Sequence, residues 1–234
     1  MSRATTTTGW DSAATIDDVL DRMDTIASTL PTDDGVAVFN RMYRQVTRLV
    51  RSAIEEGEFG AGPFLERLDV HFANLFFAAH AADLAGAPVP VAWAPLFEQR
   101  DRTGTHPVQF ALAGMNAHIS HDLPCAVVLA CRELGVEAQD DTPEHVDFST
   151  TNAVLEQAQE EIKTWFSSGV VARLDDLGGR LDDGLATFGI HLARAAAWEV
   201  SQVLWALSDN PRTDGLFRTN LGRGVAMTSR GILL

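Results

Sequence analysis

The stretch His106-Pro-Val-Gln-Phe-Ala-Leu-Ala-Gly-Met-Asn-Ala-His-Ile-Ser-His-Asp-Leu-Pro-Cys125 decides how this chain is read. Met115, Ile119, Leu123 and Ala126 return at helical spacing and mark a face that packs on a core. Beside that face run Asn116, His118, Ser120, His121 and Asp122, polar groups set into an otherwise apolar helix. His118 and Asp122 lie one above the other, His121 is their near neighbour, and Cys125 continues the stripe. Pro124 lacks an N–H and collides with the preceding turn, so the sequence predicts a kink or a break at Ser120 to Leu123. Asp122 is then also placed to act as an N-cap. His121, one residue off the Ile119/Leu123 face, reads as solvent-facing.

Outward from this stretch, helix follows helix. Thr15 with Asp18 three residues on resembles an N-cap, and Ile16, Val19, Leu20, Met23 and Ile26 recur until Leu30-Pro31. Asp33 or Asp34 opens a second helix carrying Val38, Met42, Val46, Val50 and Ile54. Pro63 suits the first turn of a third, which runs through Leu65, Leu68, Phe72, Phe76 and Ala79 to Gly86. Pro88 to Asp101 reads as a connector with one helical piece, tacked down by Trp93, Leu96 and Phe97. The fourth element runs from Pro107 through the motif to Leu134-Gly135. Further helices are expected from about Phe148 to Phe166, from Leu185 to Ser208, and from Asp214 to the end. Almost no stretch alternates with period two. The expectation is an all-α, single compact helical bundle of about seven or eight helices with essentially no β-strand. Residues 1–14 form a flexible polar lead and 15–234 one domain.

With 234 residues, of which 46% are hydrophobic, the chain can bury a substantial core. Acidic residues outnumber basic ones by 32 to 18, giving a net charge of −14, a field that repels phosphate backbones. Nucleic acid is therefore not an expected partner. No apolar run approaches the length of a membrane span, and the start of the chain lacks the apolar core of a secretory signal, so the expected location is cytoplasmic. Cys125 and Cys131 are too poorly aligned on one helix to pair, and read as free thiols. A homodimer is left open.

Ionisable groups among aromatics are costly to bury unless paired. On the third helix Asp69 shares a stripe with Phe72, Phe76 and His80; on the late helix Arg194 shares one with His191, Trp198 and Trp205. These stripes point to a central cavity lined by the third, fourth and late long helices. In it His118, oriented or charged by Asp122, is the candidate general acid/base. Asn116 and Arg194 are placed to hold an oxygen of the ligand. Asp69 pairs with Arg194 or shares the proton work, and Trp198, Phe72 and Phe76 form the apolar wall.

Other chemistries leave weaker traces. His118-x-x-His121-Asp122 supplies donors for a divalent metal only if His71, His80, His191 or Glu199 joins from another helix, and zincin, CxxC and repeated Glu-x-x-His patterns are missing. Asp175-Asp176 and Asp182-Asp183 lack the third carboxylate of a diphosphate-binding DDxxD motif. No Walker A, GxGxxG or Gly-x-Ser-x-Gly signature occurs in its required context. No cofactor or resident metal is expected.

Arg67-Leu-Asp69 with Phe72-Ala-Asn, the block Ala113-Gly-Met-Asn-Ala-His118 continuing to Asp122-Leu-Pro, and Ala193-Arg194 with Ala197-Trp198 and Leu204-Trp205 resemble an uncharacterised, chiefly actinobacterial helical family, a domain of unknown function. The resemblance runs from about Phe39 to Leu234. It implies an all-helical domain and a shared site around Asp69, Asn116, His118, Asp122 and Arg194, and supplies no substrate. The functional expectation is a small-molecule enzyme using His/Asp acid-base chemistry for isomerisation, cyclisation or hydrolysis, as in specialised metabolism. The alternatives are a noncatalytic small-molecule binding protein and a metal-dependent hydrolase.

Overall fold

A computed structural model describes residues 12–168 and 189–234, with 157–168 as backbone only. Local signals set most helix starts. The Thr15 side chain accepts from the Asp18 N–H while Asp18 accepts from the Thr15 N–H, and helix α1 (Ile16–Thr29) follows. Asp34 accepts from the N–H groups of Val36 and Ala37 at 2.8 and 3.0 Å and opens α2 (Gly35–Glu55). Helix α3 (Gly62–Leu84) has no side-chain cap of its own. Asp147, far along the chain, accepts from the Gly60 and Ala61 N–H groups just ahead of it.

The proline-rich connector contains the short α4 (Ala94–Glu98), and Trp93 before it is wholly buried. Helix α5 (Pro107–Ala117) passes through a π-helical turn (His118–Asp122) directly into α6 (Leu123–Leu134), which stops at Gly135 in the left-handed conformation. Helix α7 (Pro143–Ser168) starts five residues before the expected Phe148, because Pro143 suits a first turn and Thr142 accepts from the His145 N–H. Helices α8 (Ile190–Leu207) and α9 (Pro211–Ile232) complete the fold, α9 being capped by Asn210. With α5, the π-turn and α6 taken as one rod, these are eight helices among the described residues, which include no strand. None of these helices is long and apolar enough to cross a membrane.

The rod is the axis of the bundle. Its α5 half packs against α2 and α9, and its α6 half against α3 and α8. Two apolar clusters result. One joins α1 to α5 around Phe39, Phe76 and Trp93; the other lies between α3, α6, α7 and α8 around Phe64, Leu123 and Trp198. Phe72 and Ile119 border both clusters, so the π-turn sits at their junction.

Gly114 on α5 permits this packing. A Cβ there would lie 2.6 Å from Phe39 Cγ, inside the ring's van der Waals surface. Gly114→Ala should therefore destabilise the protein by about 1–3 kcal/mol, read from urea unfolding midpoints. Gly215→Ala, on α9 with nothing within 4 Å of the added carbon, is the control and should be neutral or slightly stabilising. Equal effects from the two would show that Phe39 does not seat against α5 as described.

Candidate functional site

Pro124 explains why the rod widens where it does. In a regular helix its missing N–H would leave the Ser120 carbonyl unpaired and its ring would strike the preceding turn. Inserting a π-turn relieves both, and the Leu123 N–H reaches back to the carbonyl of His118. The rod neither breaks nor needs a cap. Asp122 is itself helical, with φ −79° and ψ −37°, and makes no capping bond, which corrects the N-cap reading.

The Asp122 side chain is committed elsewhere. Oδ2 lies 3.2 Å from His118 Nδ1 and accepts from Trp93 Nε1 at 2.8 Å, and Oδ1 lies 2.8 Å from His121 Nδ1. Asp122 and His118 are each only 2% exposed. Burial pushes the Asp122 carboxyl up, yet the bonds from His118 and His121 outweigh it and hold the group below the usual carboxylate range. For His118 burial prevails over the neighbouring carboxylate and lowers its pKa. The resting pair is thus an ionised Asp122 and a neutral imidazole. A carboxylate only accepts, so Nδ1 of His118 carries the hydrogen and Nε2 carries the lone pair. Nε2 is buried and has no hydrogen-bond partner. His121, expected to face solvent, is instead part-buried and tied to the same carboxylate.

The imidazole is held among aromatic rings. Phe72 stacks on it with centroids 3.4 Å apart and planes within 6°, and Tyr43 meets it edge-on at 4.4 Å. Phe39 and Trp93 approach at 5.6 and 5.7 Å, and Phe76 stands behind at 6.4 Å. Against this group lies an apolar pocket of about 70 Å³, whose wall includes His118, Tyr43, Phe72, Met115, Leu155 and Ile190. Helix α2, through Phe39, Met42, Tyr43 and Val46, supplies much of the wall, a contribution the sequence reading omitted. Tyr43 is the chain's only tyrosine and falls on the apolar stripe beside Met42 and Val46, which is the signal that marks it. Its hydroxyl is buried close to that of Thr47, but neither reaches hydrogen-bond geometry.

The other expected residues divide. Asn116 is spent on structure: its amide donates to the Val225 carbonyl and to Ser229 Oγ at 3.0 Å each, pinning α5 to α9. Asp69 is buried on α3 with Oδ2 unpartnered. It does not pair with Arg194, which donates to Asn152 Oδ1 and to the Phe148 carbonyl and stacks 4.3 Å over the Phe148 ring. Burial pushes the Arg194 pKa down to about 10, which leaves it charged near neutrality. Trp198 belongs to Arg194's neighbourhood and not to the wall beside His118. It bonds Asp140 at 2.9 Å, stacks on His145, and borders a separate pocket of about 170 Å³ with Asn152 and Glu199. Both stripes face inward, but toward different seams of the bundle.

No group of three or more metal-ligating side chains occurs among the described residues. His71 contacts Glu133 and His191 contacts Glu156. Cys125 and Cys131 are buried and unpaired as expected, and Cys125 Sγ accepts from Arg218. Asp175-Asp176 and Asp182-Asp183 lie outside the described residues.

Burial pushes the Asp69 carboxyl up to about 7, so the folded protein holds this proton more tightly than the unfolded chain does. Its contribution to stability is greatest below about pH 4 and is lost as pH rises to about 7. Asp69→Asn should leave the melting temperature nearly unchanged near pH 4 and raise it at pH 8, by up to a few kcal/mol in stability. A variant less stable than the wild type at pH 8 would mean that the ionised carboxylate has a partner.

Comparison with curated proteins and with solved structures returned no match. A family model covers residues 16–234, which include all the described helices. By that match the chain belongs to DUF5995, a family of unknown function.

Proposed function

We propose that this protein is a small-molecule enzyme in which neutral His118, with its tautomer set by Asp122, takes a proton at Nε2 from a compact ligand held beside Phe72 and Tyr43. The observation that carries this reading is the unequal treatment of the two ring nitrogens. Nδ1 is fixed on a carboxylate, while Nε2 is buried with no partner in a ring that forms part of a pocket wall. His80 and His106 also have a buried Nε2 without a partner, but of the three only His118 has Nδ1 on a carboxylate and its ring in that pocket wall; leaving such a nitrogen unmet costs about 1–3 kcal/mol. As the base gains its proton, Asp122 faces an imidazolium and stabilises it, the role an orienting carboxylate plays in His-dependent catalysis. Isomerisation, cyclisation or hydrolysis all draw on such a step.

The acidic surface favours a small-molecule partner over nucleic acid, and two unpaired thiols fit a reducing, cytoplasmic setting. A noncatalytic binding role is the second reading, favoured by the apolar wall, which holds no charged side chain to meet developing charge.

The two readings separate on His118→Gln. Deuterium incorporation into small ketones in heavy water and hydrolysis of small activated esters would be followed for the wild type, His118→Gln and Asp122→Asn. Both variants should lose about 10²–10⁴-fold in rate. The wild-type rate should rise with pH through a pKa below the ordinary imidazole range, because the base works only when neutral. Rates unaffected by His118→Gln would overturn the catalytic reading.

A further inference from the structure

We propose that the outward face of α9 docks on an anionic phospholipid bilayer, as a peripheral contact that leaves the bundle intact. The helix is held by its other side. Asn116 of α5 bonds the Val225 carbonyl and Ser229 Oγ, and Gly222 lies against His121, which fixes how α9 is turned. At about 100° per residue, Arg212, Arg223 and Arg230 fall within about 20° of one another, in a line about 27 Å long. All three are exposed. Leu216 and Met227 form the adjoining stripe, about 40–60° further round the helix, and are 63% and 73% exposed.

The charge of this face runs against that of the chain. Acidic residues outnumber basic ones by 32 to 18, yet the exposed residues of α9 include three arginines and no carboxylate. Asp214 is taken by Arg218, and Glu98 of α4 stands 3.6 Å from Arg230. Arg212 and Arg223 form no ion pair among the described residues. Asp209, just before the helix, offsets part of the charge at that end. The net charge of −14 opposes approach to an anionic surface, but at physiological salt a charge is felt over only about 8 Å. Helix α9 packs on α4, α5, α8 and the π-turn, whereas α1, with Asp17, Asp18, Asp21 and Asp24, packs on α2 and α3.

A bilayer answers both stripes together. Guanidinium groups reach lipid phosphates while their stems and the neighbouring Leu216 and Met227 enter the boundary with the acyl chains, the division made by an interfacial helix. Nucleic acid would supply the phosphates but no hydrocarbon for Leu216 and Met227. A protein partner would need a groove shaped to a convex ridge, with carboxylates in register with the arginines. Lipid headgroups meet any spacing. The ridge is also open at its flanks, since a carbon added at Gly215, Gly224 or Gly231 would meet nothing within 4 Å.

The test is co-sedimentation of the full chain, at physiological salt, with vesicles of phosphatidylcholine alone and of phosphatidylcholine mixed with an equal amount of phosphatidylglycerol. The wild type should bind the mixed vesicles and not the neutral ones. Arg212→Gln with Arg223→Gln should weaken binding about 25-fold, about fivefold for each arginine brought to an anionic surface. Arg48→Gln with Arg132→Gln removes the same charge from exposed positions on α2 and α6 and should leave binding as in the wild type. Leu216→Ser with Met227→Ser should also weaken it. A readout that needs no variant is the Met227 methyl resonance, which a headgroup spin label in bicelles of the mixed lipids should broaden. The methyl of Met23, buried on α1, should stay sharp.

Failure of the wild type to bind the mixed vesicles, equal binding to both vesicle types, or an equal loss in the Arg48/Arg132 pair would overturn the proposal. So would broadening of Met23 and Met227 alike. If the vesicles are ignored while a synthetic helical peptide with one glutamate stripe and one leucine stripe shifts the Met227 methyl saturably, the face docks a protein and the bilayer assignment falls.

Discussion

A single buried carboxylate organises the centre of this bundle. Asp122 accepts from Trp93, His118 and His121, so it ties the connector before α4 to both histidines of the π-turn. Burying an ionised carboxylate is tolerable only when its oxygens are met, and here three N–H groups meet them. Each donor is in turn constrained by what the carboxylate requires. Trp93 is fully buried against Phe39 and Phe76, the His118 ring is pressed flat on Phe72, and His121 faces α9 at Gly222. One charge thereby fixes the mutual placement of α3, α4, α9 and the rod.

The π-turn makes that arrangement compatible with a continuous helix. A break at Pro124 would free the Asp122 side chain to cap the new helix, and the carboxylate would be spent on backbone N–H groups. Widening the turn satisfies proline without ending the helix and leaves the side chain available. Its position also matters for the pocket. Because Phe72 and Ile119 border both apolar clusters, the turn lies where two separately packed surfaces meet, and such a junction is where a small void persists most readily.

Much of this was legible in the sequence, for local reasons. The Thr15 cap, the cap at Asp33 or Asp34 and the stop at Gly135 act within a few residues; each appears where expected, with Asp34 taking the second. The burial of His118 beside Asp122 followed from helical spacing and apolar neighbours. What stayed hidden is what one helix cannot say about another. Periodicity puts Asp69 and Arg194 on inward faces, but α3 and α8 meet the rod along different seams, so Arg194 finds Asn152 and Phe148 instead. The same blindness concealed Tyr43, which is an ordinary core residue on α2 until α5 brings His118 against it. Asp122 was a different failure. Cap and dyad were both locally reasonable, and the choice was made by Trp93, a donor twenty-nine residues earlier in the chain.

The charge state of the pair gives the site its direction. In the resting protein the pair carries one negative charge, already met by three donors, and a second buried charge on His118 is disfavoured by desolvation. When Nε2 gains a proton the pair becomes an imidazolium against a carboxylate, and the 3.2 Å contact turns from a hydrogen bond to a neutral ring into an ion pair. Low-dielectric surroundings strengthen that attraction as they penalise the new charge, so the two effects oppose, and burial prevails to lower the proton affinity of the ring. An isolated imidazole in the same aromatic cage would be too weak a base, and one bonded at both nitrogens would have no lone pair to offer. The pairing of Asp122 with Nδ1 alone avoids both outcomes.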